Sequence, residues 1–441
     1  MATPRKQFAA AMFLAVPAWL GAAEVSGGQP VTFAKDIAPI LQAKCQNCHR
    51  AGQMAPMSLV SYEEVRPWAK AIKQRVLTHQ MPPWHVDPTI GIQKFANDLS
   101  LSDTQIAAIA KWVDDGAPLG NVADMPPPKQ WPNDGGWKLA GQFGQPDFVI
   151  KSEPYTMAAK GQDVWFKPLT AIPVTEPRWV RAVEIRPGTA AGRKITHHAL
   201  AFLQQEEPGS NTGIVTQGLL MEWAVNKNYD VYRENTGKLL VPGARVWWEM
   251  HYHAVGEEIR DNVELAIYLY PKGEKPKYRT YLTAFPATPG TAALGVLDIP
   301  PNSVTETEGY QTLKEPAMLE NFQPHMHLRG KAMLLEAILP DGSKRTISYV
   351  DHFNFNWMTN YIFADDATPV LPKGTIIHVV AWHDNTAANK NNPDPTQWVG
   401  WGDRTVDEMA HAWVNVTYIS EEDYQEWLRK NPQANAVTAA R

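Results

Sequence analysis

Cys45-Gln46-Asn47-Cys48-His49 is the densest piece of chemistry in the sequence. Two thiols at this spacing can form thioethers with haem vinyl groups, and the histidine that follows then lies where it can ligate the iron. These are the only two cysteines in 441 residues. A structural zinc site wants two more soft ligands, and no cysteine remains to supply them. The second axial ligand should be a Met or His from a later loop. Met54 and Met57 follow too closely behind the haem-bearing turn to reach the opposite iron face, and read as packing around the porphyrin. Met81 follows a full helix and opens "MPPW", where prolines stiffen the backbone. Met81 is the first choice and His85 the second.

Ten of the 13 histidines lie beyond residue 148, most of them in three clusters: His197-His198, His251-Tyr252-His253 and His325-Met326-His327. In "HYH" and "HMH" the histidines are two apart, so on a strand they share a face and form a two-point clamp for a metal. Imidazole suits Zn, Cu, Fe and Ni, and an added Met or thiolate shifts the preference toward copper. Carboxylates are not clustered at these spots, which weighs against a non-haem iron triad. Structural zinc is a further reading, and it predicts no redox signal from the metals. "THHAL" poses a geometric question. Adjacent strand residues point to opposite faces, so either one of His197 and His198 faces the core and one water, or the backbone bends. His253 reads as a spare ligand or a partner behind one. His378 and His383 read as structural, and His352 as a surface or packing residue.

The elements that must position these residues fall into blocks. "MATPRKQFAAAMFLAVPAWLGAAEVSGG" has a positive start, a short apolar run and small residues near 23. It reads as a cleaved signal peptide over 1–23, with an N-terminal anchor as the alternative. Residues 31–117 read as helical, with a capping box from Ser102 to Gln105 and a stop at Gly116. Residues 118–147 are rich in Pro and Gly and read as a linker. From 148 to 419 short β-branched and aromatic runs alternate with turn signals. Nine or more strands are too many for one small sandwich, which gives two all-β units, 148–305 and 306–419. Residues 420–441 read as a short capped helix and a tail. No other stretch is apolar enough to span a bilayer. A net charge of −5 without a long basic run argues against nucleic acid as the main partner. With 17 Trp and 36 Pro, the composition fits a β-rich, loop-rich protein.

The 31–117 segment resembles a small class I type cytochrome c domain. The β region resembles the copper type II, ascorbate-dependent monooxygenases, which include the peptidylglycine α-hydroxylating and dopamine β-monooxygenases. "THHAL", "EMHYHAV", "PHMHLRGK" and "GDRTVDEMAHAWVNVTYI" occur in the family's order. The resemblance implies two jelly-roll-like β-sandwich domains with one copper on each. His197, His198 and His251 would hold one copper, and His325, His327 and Met409 the other. It implies that both histidines of "THHAL" reach one copper. That needs a bulge or different side-chain rotations, and puts both within ligand reach of His251. Two departures stand out. No cysteine is left to form the disulfides of animal members. Where the peptide-amidating enzyme holds a substrate carboxylate with Arg, Asn and Tyr, this chain has Gln323, His411 and Trp413. A peptidylglycine substrate is therefore disfavoured, and a less polar or aromatic one fits Trp413 better. His411 lies two residues past Met409 and is a pocket-lining candidate.

The expectation is an exported copper-dependent monooxygenase carrying covalent haem c and two copper ions. The resemblance implies O2 activation and C–H hydroxylation of a small organic substrate at the His/His/Met copper, with the second electron stored at the three-His copper. The covalent fusion suggests that the haem domain passes electrons on, in place of ascorbate or as a relay from it or from another periplasmic donor. The rival is a periplasmic haem–copper electron-transfer or copper-binding protein without oxygenase activity.

Overall fold

The computed structural model describes residues 30–51, 53, 55–131, 136–206, 215–224, 227–289, 296–357 and 359–431. The expected leader, Met54 and the end of the tail lie outside these residues. The described chain is mostly β-strand with few helices. No helix among the described residues is long and apolar enough to cross a membrane.

The helices come first. Ala38–Lys44, Tyr62–Val65, Ala69–Leu77 and Asp103–Asp114 enclose a core of Phe33, Ile37, Leu41, Val65, Ile109 and Trp112. Ser102 accepts from the Gln105 N–H and Gln105 reaches back to the Ser102 N–H, a cap worth about 1 kcal/mol. Gly116 ends this helix at φ +90°, a conformation that glycine adopts without a Cβ penalty. Pro67 divides the helical stretch that follows Ser61. It sits in a 3-10 turn, Arg66–Trp68, between two shorter helices, because it has no N–H to continue the α pattern.

The expectation of an all-α domain over 31–117 fails at one segment. Residues 84–97 leave the helices and dock on distant strands. Val86–Gly91 pairs with Lys344–Val350, Phe95 bridges to Phe363, and the Ala96 N–H donates to the Ile362 carbonyl at 2.8 Å. Trp84 packs edge-on to Phe95 and Tyr361, with ring centroids 5.3 and 4.8 Å away. Such aromatic contacts stabilise beyond their buried area by about 0.5–1.5 kcal/mol each. The helical block is thus fastened to the β region by its own middle.

The linker is also less free than its composition suggests. Trp137 and Leu139 are buried against Ala182, Ala266 and Tyr268. The Glu184 carboxylate accepts from the backbone N–H groups of Lys138 and Leu139 at 2.9 and 3.1 Å. Ala140–Phe143 forms a helical turn. Residues 137–143 are therefore part of the β region's surface rather than a tether.

Two cores fill the β region. Val180, Ile185, Ala199, Val246, Trp248 and Ile267 belong to the first, and Phe285, Phe322, Met333, Val379 and Val414 to the second. The expected boundary near 305 is not a break in hydrogen bonding. Tyr278–Pro286 pairs over Thr280–Pro286 with His411–Tyr418 and meets Val215–Ala224 at Leu282 and Leu219. One 16-stranded sheet therefore runs through both units, and a five-stranded sheet covers the second core. Gly309 lets the covering strand Val304–Thr312 pass close to this joint. A Cβ there would sit 2.2 Å from the Pro286 carbonyl oxygen. The tail helix, Glu421–Lys430, is capped by Ser420.

Candidate metal centre

The strand Thr196–Gln205 runs antiparallel to Arg245–Tyr252, and His198 lies directly opposite His251. The next pair is Tyr252 with Thr196, so His197 is the extra residue of a bulge. A bulge redirects one side chain without ending the ladder. Here it turns His197 toward the face that already carries His198 and His251. One nitrogen from each of the three rings lies within 4.8 Å of the others. That is the spacing a single shared ion can draw together.

Hydrogen bonding decides which nitrogens are free. The Asp163 carboxylate lies 2.8 Å from His251 Nε2. An ionised carboxylate only accepts, so Nε2 carries the proton. His251 Nδ1 then holds the lone pair, and it is buried without a partner. Trp165 stacks on the ring at 4.2 Å and fixes its plane. A carboxylate behind a ligating imidazole sets the tautomer and raises its basicity. The Nδ1 atoms of His197 and His198 face each other at 3.2 Å. Two such lone pairs tolerate that approach only with a proton or a cation between them.

The second set adjoins the first. His325 begins its turn opposite His411 on the neighbouring strand, and the two rings stack at 4.6 Å. His327 lies 5.5 Å from His325, and His198 lies 6.5 Å from His325 on the other side. Phe355 sits between His197 and His327, at 4.7 and 5.8 Å. The Asp407 carbonyl lies 3.0 Å from His327 Nδ1, which leaves Nε2 as the lone-pair atom. His325 Nδ1 and both ring nitrogens of His411 are buried without partners. An unsatisfied buried polar atom costs about 1–3 kcal/mol. So many converging in one place are explained by a group that would satisfy them together.

Burial pushes these imidazoles toward the neutral form. His197 and His411 are driven down to about 3 and His327 to about 4, in each case chiefly by desolvation. Neutral imidazole is the metal-binding form. The "HMHLRG" turn is held from below by Glu408. Its two oxygens accept the backbone N–H groups of His327 and Arg329 at 2.8 and 2.6 Å.

Met409 is half-buried beside this turn, and its carbonyl accepts from His383 Nε2 at 3.2 Å. The imidazole nearest His325 is that of His411. His378 bridges Glu336 and Glu308 at 3.1 and 3.0 Å and stacks on Tyr310, a structural role. His253 donates its backbone N–H to the Ile195 carbonyl. Asp163 carried no signal in the sequence. It is one carboxylate in a loop, and only the fold sets it behind His251.

The second chemical centre is the turn after Ala38–Lys44. Cys45 and Cys48 are not joined in a disulfide, and both are half-buried. Desolvation drives the Cys45 thiol up to about 12 and raises Cys48 as well. A thiol held protonated is a weak metal ligand and a weak nucleophile at neutral pH. His49 donates Nδ1–H to the Met57 carbonyl at 3.3 Å, so Nε2 holds the lone pair. Met81 is half-buried past Ala69–Leu77. His85 lines a small recess with Pro324, Phe353 and Tyr361.

No protein-family model matches the chain, and no curated protein matches it. Solved structures that align include the major capsid protein P2 of bacteriophage PM2, at 11% identity and TM-score 0.26 over 62% of this chain and 97% of that one. PNGF-II aligns at 9% identity and TM-score 0.27, over 62% of this chain and 65% of the other. Cowpea mosaic virus top component aligns at 8% identity and TM-score 0.26, covering 59% and 91%. At these scores neither fold kinship nor function follows.

Proposed function

We propose that this chain is an exported copper-dependent monooxygenase that hydroxylates a C–H bond of a small organic substrate, with electrons supplied through its own covalently attached haem c. The reading takes the β region as two sandwich domains of the copper type II monooxygenase kind, and the helical block as a cytochrome c-type domain. The observation that carries it is the meeting of His197, His198, His251, His325, His327 and His411 at one seam, with partnerless nitrogens.

His197, His198 and His251 would hold one copper. His325 and His327, with Met409 or His411, would hold the other. Bound copper would supply one-electron chemistry toward O2. The chain's own residues do the rest. Asp163 keeps the proton on His251 Nε2. The Asp407 carbonyl does the same for His327 Nδ1, and Glu408 fixes the turn between His327 and Arg329. Trp413, whose ring lies 4.9 Å from His411, gives the seam an apolar wall suited to an aromatic or weakly polar substrate. At the other centre, each thiol of Cys45 and Cys48 would add across a vinyl group, sulfur to one carbon and hydrogen to the other. His49 Nε2 and Met81 would hold the iron, which would supply electron transfer.

A second reading, a periplasmic haem–copper electron carrier without oxygenation, draws on the depth of the site: His198, His251, His325, His327 and His411 are all buried. Copper content and oxygen uptake with small C–H substrates separate the two. On the enzyme reading, Met409→Ala or His411→Ala abolishes coupled uptake while the copper at His197, His198 and His251 is kept. Copper and haem bound without substrate-dependent uptake in the unaltered protein decide for the carrier.

A further inference from the structure

Hydroxylation of a C–H bond by O2 consumes protons as well as electrons: R–H, O2, two electrons and two protons give R–OH and one water. The histidines of the seam cannot supply those protons near neutral pH. Burial holds His197 and His411 at about 3 and His327 at about 4, and drives His198, His251 and His325 down as well. Glu408 has both oxygens committed to backbone N–H groups, and Asp163 accepts from His251 and Thr405.

A further buried acid stands at the same seam. Glu222 lies on the strand Val215–Ala224 opposite Leu200, and Ala224 lies opposite His198. Alternate strand residues share a face, so Glu222 stands one two-residue repeat, about 7 Å, from the level of His198. Gln323 has the same offset from His325, the two facing Trp413 and His411. Gln323 Nε2 donates to Glu222 Oε2. The orientation of that amide is fixed, because Lys227 Nζ, which can only donate, meets Gln323 Oε1 at 3.1 Å. Lys227 lies in turn 3.5 Å from Asp230. Glu222 Oε2 is thus committed as an acceptor, while Oε1 is buried with no partner. An orphaned buried oxygen is costly, and a purely structural role gives no reason to keep one. The charges that act on Glu222 are Lys227, beyond the end of its strand, and Asp230 of Tyr229–Val231; Leu200 and Gln323, which face it from the neighbouring strands, carry none. Desolvation outweighs the Lys227 charge and raises the carboxyl to about 7. When Glu222 is protonated, Oε1 is the oxygen free to hold the proton.

We propose that Glu222 is the internal acid of the seam, giving the proton on Oε1 to the oxygen that is being reduced there. The inference rests on the monooxygenase reading of the seam. The O–H bond of Glu222 breaks, its electron pair stays on Oε1, and a new O–H bond forms on the reduced oxygen. The electrons come from the chain's metal groups. The carboxylate left behind is stabilised by the Gln323 amide and by the Lys227 charge, so Gln323 and Lys227 are positioning residues. Lys227 also lines a cavity of about 650 Å³, with room for the water from which Glu222 is recharged.

Two measurements on the full-length protein, loaded with copper and haem, test this. The first is infrared spectroscopy at pH 6, below the folded value of about 7. Wild type should show a carboxylic acid C=O band that Glu222→Gln lacks. An identical acid region in the two overturns the proposal whatever the activity. The second uses O2 alone, with no organic substrate. The reduced protein is mixed with O2, which two electrons and two protons convert to hydrogen peroxide, and haem reoxidation is followed from pH 6 to 9. The wild-type rate should be level below about 7 and fall up to tenfold per pH unit above it, as the donor is lost. Glu222→Gln should be about 10²-fold slower at pH 6 and lack this fall, with copper retained. Glu222→Asp keeps an acid and should recover part of the rate and the fall; where the Gln variant fails to hold copper, the Asp variant is read against wild type in its place. A wild-type rate in either variant overturns the proposal and leaves the monooxygenase reading standing. A wild-type haem that O2 does not reoxidise overturns that reading together with the proposal.

Discussion

Replacing Asp163 with Ala should weaken copper binding at the three-histidine set about tenfold. Asp163 Oδ2 accepts the proton of His251 Nε2 at 2.8 Å and also accepts from Thr405 Oγ1 at 3.2 Å. A hydrogen bond to a charged group is worth about 1.5–3 kcal/mol. The Asp163 side chain is 36% exposed, so solvent screening puts the value at the low end. About 1.4 kcal/mol is a factor of ten, the lower edge of the ~10–100-fold loss expected for a carboxylate behind a ligating histidine. The effect runs through the tautomer. Without the carboxylate, the proton is free to move to Nδ1, the buried atom that has no other partner. D163N keeps a carbonyl that still accepts from Nε2–H and should lose less than D163A. Competition of copper against a chromophoric Cu(I) chelator reads the affinity, and the part of the titration belonging to His325 and His327 should not move. An unchanged affinity in D163A refutes the assignment of Nδ1 as the donor atom.

Three further outcomes follow from the packing. Burial holds His197 and His411 near 3 and His327 and His383 near 4 in the folded protein, against about 6.5 in an unfolded chain. The unfolded state therefore takes up protons first as pH falls. The metal-free protein should keep full stability above pH 6.5 and lose it progressively toward pH 4, by at most ~1.4 kcal/mol per pH unit for each histidine; urea midpoints at pH 7, 6 and 5 that do not fall contradict this. Glu408→Gln removes one of two acceptors for buried N–H groups and should cost about 1–3 kcal/mol, with Glu408→Ala costing more; chemical denaturation gives the order, and equal losses contradict the two-acceptor geometry. Gly309→Ala forces a Cβ against backbone at Pro286 and Thr288 and should cost at least ~1–3 kcal/mol, seen as a lower melting temperature; a neutral result means the two strands separate more easily than drawn.

What could be foreseen was whatever is encoded locally. The Ser102 cap, the stop at Gly116 and the alternation of the β-strands are short-range patterns, and all appear in the structure. The bulge at His197 was foreseen as one of two geometric options, because period-two alternation leaves few others. The losses are long-range. "VDPTIG" falls inside the stretch read as helical, and its partner Lys344–Val350 lies some 260 residues on, so nothing local marks it as a strand. Trp137 and Leu139 sit in a Pro/Gly-rich run whose composition hides two anchoring side chains. The boundary near 305 was placed by counting strands, and counting cannot show that Tyr278–Pro286 pairs with His411–Tyr418. On its other edge the strand His411–Tyr418 pairs with Asn321–His325, which sets His411 opposite His325 and turns a pocket-lining residue into the closest imidazole neighbour in the second set.

The most direct test of the central claim is metal and haem stoichiometry of the full-length protein produced with copper and a haem-attachment system, read by elemental analysis, pyridine haemochrome and electron paramagnetic resonance. One covalent haem and up to two coppers per chain are expected, with loss of one copper and its resonance in His198→Ala. Histidines that bind zinc or nothing under these conditions, or copper content unaltered by His198→Ala, contradict it.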